Sequence, residues 1–197
     1  MKKNRLLTGA AYVAMAAEIV VYLALVISTI VFFHWHVEKE HYDSFGIMLK
    51  NGDIELSEGK EINANSSPAS NYTSDDKKEK VFRLNDLSRT SFYFTSFQII
   101  LSLVLIVLML RKVRDILQSV KEFKTFTNTN VKSFKRLGDY CLALGALNCI
   151  YFLASDTEKD VSFNPSLTLL SFMLAAFILA EIFKEGQKLA ESEQLTI

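Results

Sequence analysis

Residues 11–28 read AYVAMAAEIVVYLALVIS, a run whose only charged residue is Glu18. The apolar block around it extends from about Leu6 to Phe33. A helix needs roughly 20 apolar residues to cross the hydrocarbon core of a bilayer, so this block is long enough to span it. The chain start also scans as a secretory leader, with Lys2, Lys3 and Arg5 before the apolar run and Ala14-Met15-Ala16 as a small-residue cleavage site. A leader's apolar region is typically about 7–15 residues, whereas here Ile19–Phe33 continues without charge beyond Glu18. The reading adopted is a first span that is retained.

Three more apolar blocks follow, Ser91–Leu110, Leu137–Ala154 and Leu167–Phe183, and half of the 197 residues are hydrophobic. The second block contains IILSLVLIVLML (99–110), with one hydroxyl and no charge. The expected fold is an all-α integral membrane protein of four transmembrane helices. Its partner by construction is the lipid bilayer.

Net charge is zero, so no bulk field points to nucleic acid, and direct nucleic-acid binding is not expected. The charges are sorted by position instead. Basic residues cluster at the N-terminus and at Arg111, Lys112, Arg114, Lys121, Lys124, Lys132, Lys135 and Arg136, opposed in that second segment only by Asp115 and Glu122. The connection 155–166 carries Asp156, Glu158 and Asp160 against Lys159. Cytoplasmic loops are enriched in Lys and Arg, which puts both termini and the middle connection inside.

The organisation that follows is a cytoplasmic N-terminus and first span over 1–33, then an extracytoplasmic segment over 34–93. In that segment FFHWHVEKEHYD opens with Trp35 between His34 and His36, the composition of an interfacial belt. A metal site from His34, His36 and His41 with Glu38 or Glu40 is weaker, because positions i and i+2 do not share a helix face, and no metal is expected. SFGIMLKNGDIELSEG reads as a β-hairpin over about 45–57 turning at Asn51-Gly52, a pair suited to a type I′ turn. Residues 63–80 (NANSSPASNYTSDDKKEK) read as a flexible loop carrying two N-glycosylation acceptor patterns, at Asn65 and Asn71. Val81–Leu84 supplies a possible third strand, and Asn85 or Asp86 a cap before the second span.

The second span and a cytoplasmic extension occupy 91–123, where Val113, Ile116, Leu117, Val120 and Phe123 recur at helical spacing. FTNTN breaks the helix, and Thr129 or Asn130 caps the next one. A basic connection and the third span fill 124–155, a short outer loop 156–166, and the fourth span with an amphipathic tail 167–197. In that tail Lys184 and Lys188 form a like-charge pair four residues apart, and Glu181 marks the inner boundary. Cys141 and Cys149 lie about 12 Å apart along one helix, too far to bridge, and read as packing residues.

Two stretches carry a family resemblance. They are FKTFTNTNVKSFKRLGDYCLALGALN, with Phe126, Val131, Phe134, Lys135, Tyr140 and Cys141 in the expected order, and the C-terminal LAEIFKEGQKLAESEQLTI. Over about residues 95–197 the chain resembles the bacterial four-span membrane proteins of domain of unknown function 2975. The resemblance implies a protein of the bacterial cytoplasmic membrane with no established activity. It also suggests, by gene context, a small helix-turn-helix regulator as a partner of the cytoplasmic surfaces.

No catalytic motif or cofactor-binding motif occurs, so an enzyme is not expected. The expected role is a sensor, immunity or scaffold-type membrane protein whose cytoplasmic interaction surface is Arg111, Lys112, Arg114, Lys132, Lys135 and Arg136; the alternative for the basic face is contact with anionic lipid headgroups. The alternative is a small proton- or cation-coupled transporter using Glu18, since an intramembrane acid is a functional candidate. Against that, a span of about 20 residues ending at Phe33 puts Glu18 only about 6 Å inside the inner boundary. There it can snorkel or pair with a basic residue of the cytoplasmic connection, such as Arg136. Asn148, in mid-span, can hydrogen-bond a neighbouring helix. Gly138, Ala143, Gly145 and Ala146 permit close packing, within one chain or in a homo-oligomer.

Overall fold

The computed structural model describes residues 5–38, 45–50, 53–58, 80–83, 87–122, 125–154 and 159–194. In chain order the elements are α1 (Arg5–Val37), β1 (Phe45–Lys50), β2 (Asp53–Glu58), β3 (Lys80–Arg83), α2 (Arg89–Lys121), α3 (Asn128–Leu147), β4 (Ile150–Ala154), β5 (Lys159–Phe163) and α4 (Leu167–Gln194). Among the described residues three helices, α1, α2 and α4, are long and apolar enough to cross a membrane. The chain divides into two compact units, one of Met1–Val26, Ile100–Asn148 and Pro165–Ile197, the other of Ile27–Ile99 and Cys149–Asn164.

Helix α1 is apolar all round, yet only one face of it is covered. Leu7, Ala11, Ala14, Glu18, Val21, Leu25, Ser28, Phe32 and Trp35 follow one another in steps of four and three, and all are buried or half-buried. That is the 3.5-residue repeat of a helix seam. Off the seam, Tyr12, Val13, Ile19, Val20, Leu23, Ile27 and Ile30 are each more than half exposed. A helix this apolar with so much of it uncovered by protein matches a membrane span whose other faces meet lipid.

In the first unit α3 packs against α4. Gly138 makes the approach possible, because a Cβ there would lie 2.7 Å from Phe177 Cε1. Ala176 and Ala180 are buried on α4, as are Cys141 and Leu144 on α3. Gly138 and Gly145 thus face α4 of the same chain, where Gly145 looks toward Leu169, while Ala143 and Ala146 are exposed. At the other end of α3, Ile116, Phe134 and Ala180 form a cluster with Val120 and Phe183. The Phe183 ring sits 4.8 Å from that of Phe134 and 5.5 Å from that of Phe126.

Helix α3 starts earlier than its sequence suggests. The residue in the N-cap position is Thr127, extended and without a side-chain cap bond, rather than Thr129 or Asn130. Asn130 is buried and reaches backward, its Nδ2 donating to Ser119 Oγ at 2.9 Å and to the Thr125 carbonyl at 2.8 Å. A side chain that bridges the end of α2 and the linker does more here than a local cap, and it leaves the helix start to the backbone.

The largest departure from the sequence reading lies in the third apolar block. Leu137–Ala154 is not one helix. α3 ends at Leu147, with Asn148 in the C-cap position, and Ile150–Ala154 is a strand paired antiparallel with β5 in the register Ile150↔Phe163 to Ala154↔Lys159. The short outer loop expected over 156–166 therefore contains a strand, and the fold is not all-α. Ile150, Tyr151 and Phe152 are residues that favour strands, and a short apolar run does not distinguish a buried strand from a helix.

In the second unit, β1 lies between β2 and β3 in an antiparallel sheet. Lys50 pairs with Asp53, leaving two residues between the strands, and Ile47 pairs with both Leu56 and Phe82. The Asn51-Gly52 turn, the acceptor patterns at Asn65 and Asn71, the 63–80 loop except Lys80, and Asn85 and Asp86 lie outside the described residues. The start of α2 is capped by Ser88, whose Oγ accepts from the Ser91 amide at 3.2 Å. Trp35 is 3 % exposed and stacks on Phe92 with ring centroids 3.6 Å apart. It is an internal residue of the protein, not an exposed belt residue.

Candidate functional site

Glu18 sits on the covered seam of α1 at 6 % exposure. Two arginines of α2, one helical turn apart, converge on it. Arg111 Nε donates to Glu18 Oε1 at 3.1 Å, and Arg114 Nη1 donates to Glu18 Oε2 at 2.7 Å. Tyr22, one turn along α1 from Glu18, accepts a hydrogen bond from Arg111 Nη2 and also lies beneath its guanidinium, 5.8 Å from Cζ to ring centroid. Residues i, i+4 on α1 and i, i+3 on α2 share a face, so four residues from two helices form one constellation.

The physical logic is that of a paired buried charge. A carboxylate taken out of water alone costs several kcal/mol, and here both of its oxygens receive charge-assisted hydrogen bonds. The arginine side chains stay partly uncovered by protein, Arg111 at 49 % and Arg114 at 36 % exposure. The constellation carries one carboxylate against two guanidiniums, so it is net cationic. A coupling cation at Glu18 would have to displace a guanidinium tethered to α2.

The partner of Glu18 is thus not Arg136, which is exposed on α3. Lys112 pairs with Asp115 at 2.8 Å, while Lys132 and Lys135 are exposed on α3. Asn148 accepts a hydrogen bond on Oδ1 from Ser102 Oγ at 3.2 Å. Lys184 and Lys188, a repelling pair in sequence, each bond to the glutamate three residues before, Glu181 and Glu185, at 2.6 Å. His36 Nδ1 lies 2.8 Å from the Tyr93 hydroxyl, and His34 lies 3.7 Å from Glu38; His41 and Glu40 lie outside the described residues.

A second polar feature escaped the sequence reading. Ser91, Thr95, Gln98 and Ser102 lie at steps of four, three and four on α2, and the first three are buried. In the second unit Ser91 and Gln98 tie down β4. Ser91 Oγ donates to the Phe152 carbonyl and accepts from the Ala154 amide, both at 3.0 Å, and Gln98 Nε2 donates to the Ile150 carbonyl at 3.2 Å. The signal was present as polar residues at helical spacing in an otherwise apolar span.

Three helices long and apolar enough to cross a bilayer fit a membrane protein. Residues 83–197 match the family described as "Protein of unknown function (DUF2975)". The match covers more than half of the chain, and the protein belongs to that family. Neither a curated protein nor a solved structure matches the chain. The matched region contains Arg111, Arg114 and the whole of α3 and α4, whereas Glu18 and the strands β1 and β2 precede it.

Proposed function

We propose that the chain is a four-span protein of the bacterial cytoplasmic membrane, both termini inside, that works as a sensor, immunity or scaffold protein through a basic cytoplasmic face. Two hydrogen bonds support α3 as the remaining crossing. Asn130 meets Ser119 and Asn148 meets Ser102, so α3 runs antiparallel to α2 for roughly 26 Å at 1.5 Å per residue. Lys132, Lys135 and Arg136 then fall in its first turns, at the end where α2 carries Arg111, Lys112 and Arg114. This matches the cytoplasmic enrichment of basic residues.

The observation that carries the functional reading is the tie at Asn130. It holds the α2–α3 corner in one geometry, so the exposed Lys132, Lys135 and Arg136 form a fixed basic surface, suited to an acidic face of a soluble partner. A small regulator or a second copy of the chain is the expected partner. Transport through Glu18 is the alternative, supported by the burial of that carboxylate and opposed by its two guanidinium partners.

Photo-crosslinkers placed in living cells at the exposed Thr129 and Asp139, which flank Lys132 and Lys135 on α3, followed by mass spectrometry, test the proposal. Recovery of one soluble protein, lost when both lysines are replaced by Glu, supports it. Recovery of no cytoplasmic protein counts against it. A proton-coupled flux in vesicles that Glu18→Gln abolishes would establish transport instead.

A further inference from the structure

Below the Glu18 constellation, toward the first turns of α1, a cleft of about 340 Å³ opens between α1 and α2. We propose that this cleft binds the headgroup of an anionic phospholipid from the inner leaflet. The inference rests on the placement of α1 and α2 in the membrane, and it adds a ligand that the basic α3 surface does not involve.

The wall chemistry is divided in the way such a ligand requires. Ala11 and Met15 on α1 and Leu117 on α2 give an apolar side, and Arg114 and Lys121 supply two cations at the rim. Among the described residues the one acid in the wall is Glu122, which accepts a hydrogen bond from Gln118 at 3.3 Å. Arg114 spends Nη1 on Glu18, which leaves other donors of its planar fork. Thr8 also lines the wall, and its Oγ1 is buried with no hydrogen-bond partner among the described residues.

Charge and shape together select the ligand. Basic pockets between membrane helices on the cytoplasmic side suit acidic headgroups, and a volume near 340 Å³ is at the small end of ligand sites. It holds a headgroup with the start of its chains, and the acyl tails then run into the bilayer along the exposed apolar flank of α1 at Ile19 and Leu23. A free phosphate would use the cations and leave the apolar wall empty. A zwitterionic headgroup would bring its own ammonium toward Arg114 and Lys121.

The test uses the full chain in a neutral detergent and measures binding by native mass spectrometry and melting temperature. The probes are phosphatidylglycerol, phosphatidylcholine and inorganic phosphate. Phosphatidylglycerol is expected to bind and raise the melting temperature, and phosphatidylcholine and phosphate are not. Lys121→Gln should weaken phosphatidylglycerol binding about 5-fold, the effect of one cation near a lipid surface, while Lys188→Gln on α4 leaves it unchanged. Ala11→Trp, which fills the cleft, should abolish binding; if that variant does not fold, Lys121→Gln decides.

Equal binding of the two lipids, or equal effects of Lys121→Gln and Lys188→Gln, overturns the proposal. So does stabilisation by inorganic phosphate alone, which would mark a site for a soluble anion. Carbonate extraction of membranes separates these failures from failure of the membrane placement, because a chain that washes off was never in the bilayer.

Discussion

Arg114 Nη1 lies 2.7 Å from Glu18 Oε2, and ninety-six residues separate the two in sequence. This contact and its Arg111 counterpart bind the first helix to the second through side chains. By contrast, α3 and α4 pack closely at Gly138, where the Phe177 ring lies against the glycine. One helix pair is therefore held by charge and the other by close packing, and the two should respond differently to substitution.

Glu18→Gln removes the charge and turns an amide N–H₂ toward a guanidinium. Its cost should be about 1–3 kcal/mol of stability, measured by thermal or denaturant unfolding in detergent. Replacing Arg111 and Arg114 together by Gln leaves a buried carboxylate with no cation and should destabilise more than Glu18→Gln alone. Adding Glu18→Gln to that double variant should then restore stability. A triple variant less stable than the double would mean that the carboxylate has another role in the fold.

Ser91→Ala deletes the hydroxyl that serves both the Phe152 carbonyl and the Ala154 amide. Each unmade buried hydrogen bond costs about 1–3 kcal/mol, and the loss should be local. Hydrogen exchange at the Ala154 amide is expected to speed up well before exchange in α3 changes. Uniform acceleration across the chain would mean that β4 opens only with the whole molecule.

Gly138→Ala sets a Cβ against the Phe177 ring. The gain in helix propensity is roughly 1 kcal/mol, whereas overpacking a filled site costs about 1–3 kcal/mol, so the net effect should be destabilising. Phe177→Leu in the same chain should recover part of the loss. If Gly138→Ala raises the melting temperature, α3 and α4 are less tightly packed than their contact at Gly138 indicates.

What the sequence discloses follows from the physics of each element. The helices α1, α2 and α4 are legible because each is a long uninterrupted apolar run, which a bilayer-length helix satisfies and a strand does not. The strand β4 is not legible, because CIYFLA suits either element until its hydrogen-bond partners on α2 and β5 are known. The place of Glu18 within α1 follows from the apolar run on either side of it. Its partners require knowing which face of α2 meets α1, and sequence gives no such register. For the same reason Arg111 and Arg114 register in sequence as topology signals and as part of a basic surface, and Asn130 as a cap, although each reaches a different helix or the linker.

The stacked pair Trp35 and Phe92 has a practical consequence. The chain has a single tryptophan, 3 % exposed, on the last turn of α1 and in ring contact with the first turn of α2. Its fluorescence is therefore a label-free gauge of whether those two helix ends are together. Blue-shifted emission that collisional quenchers do not reach reports the closed junction, and a red shift reports its parting. Any event that moves these helix ends apart can thus be followed optically in the unmodified protein.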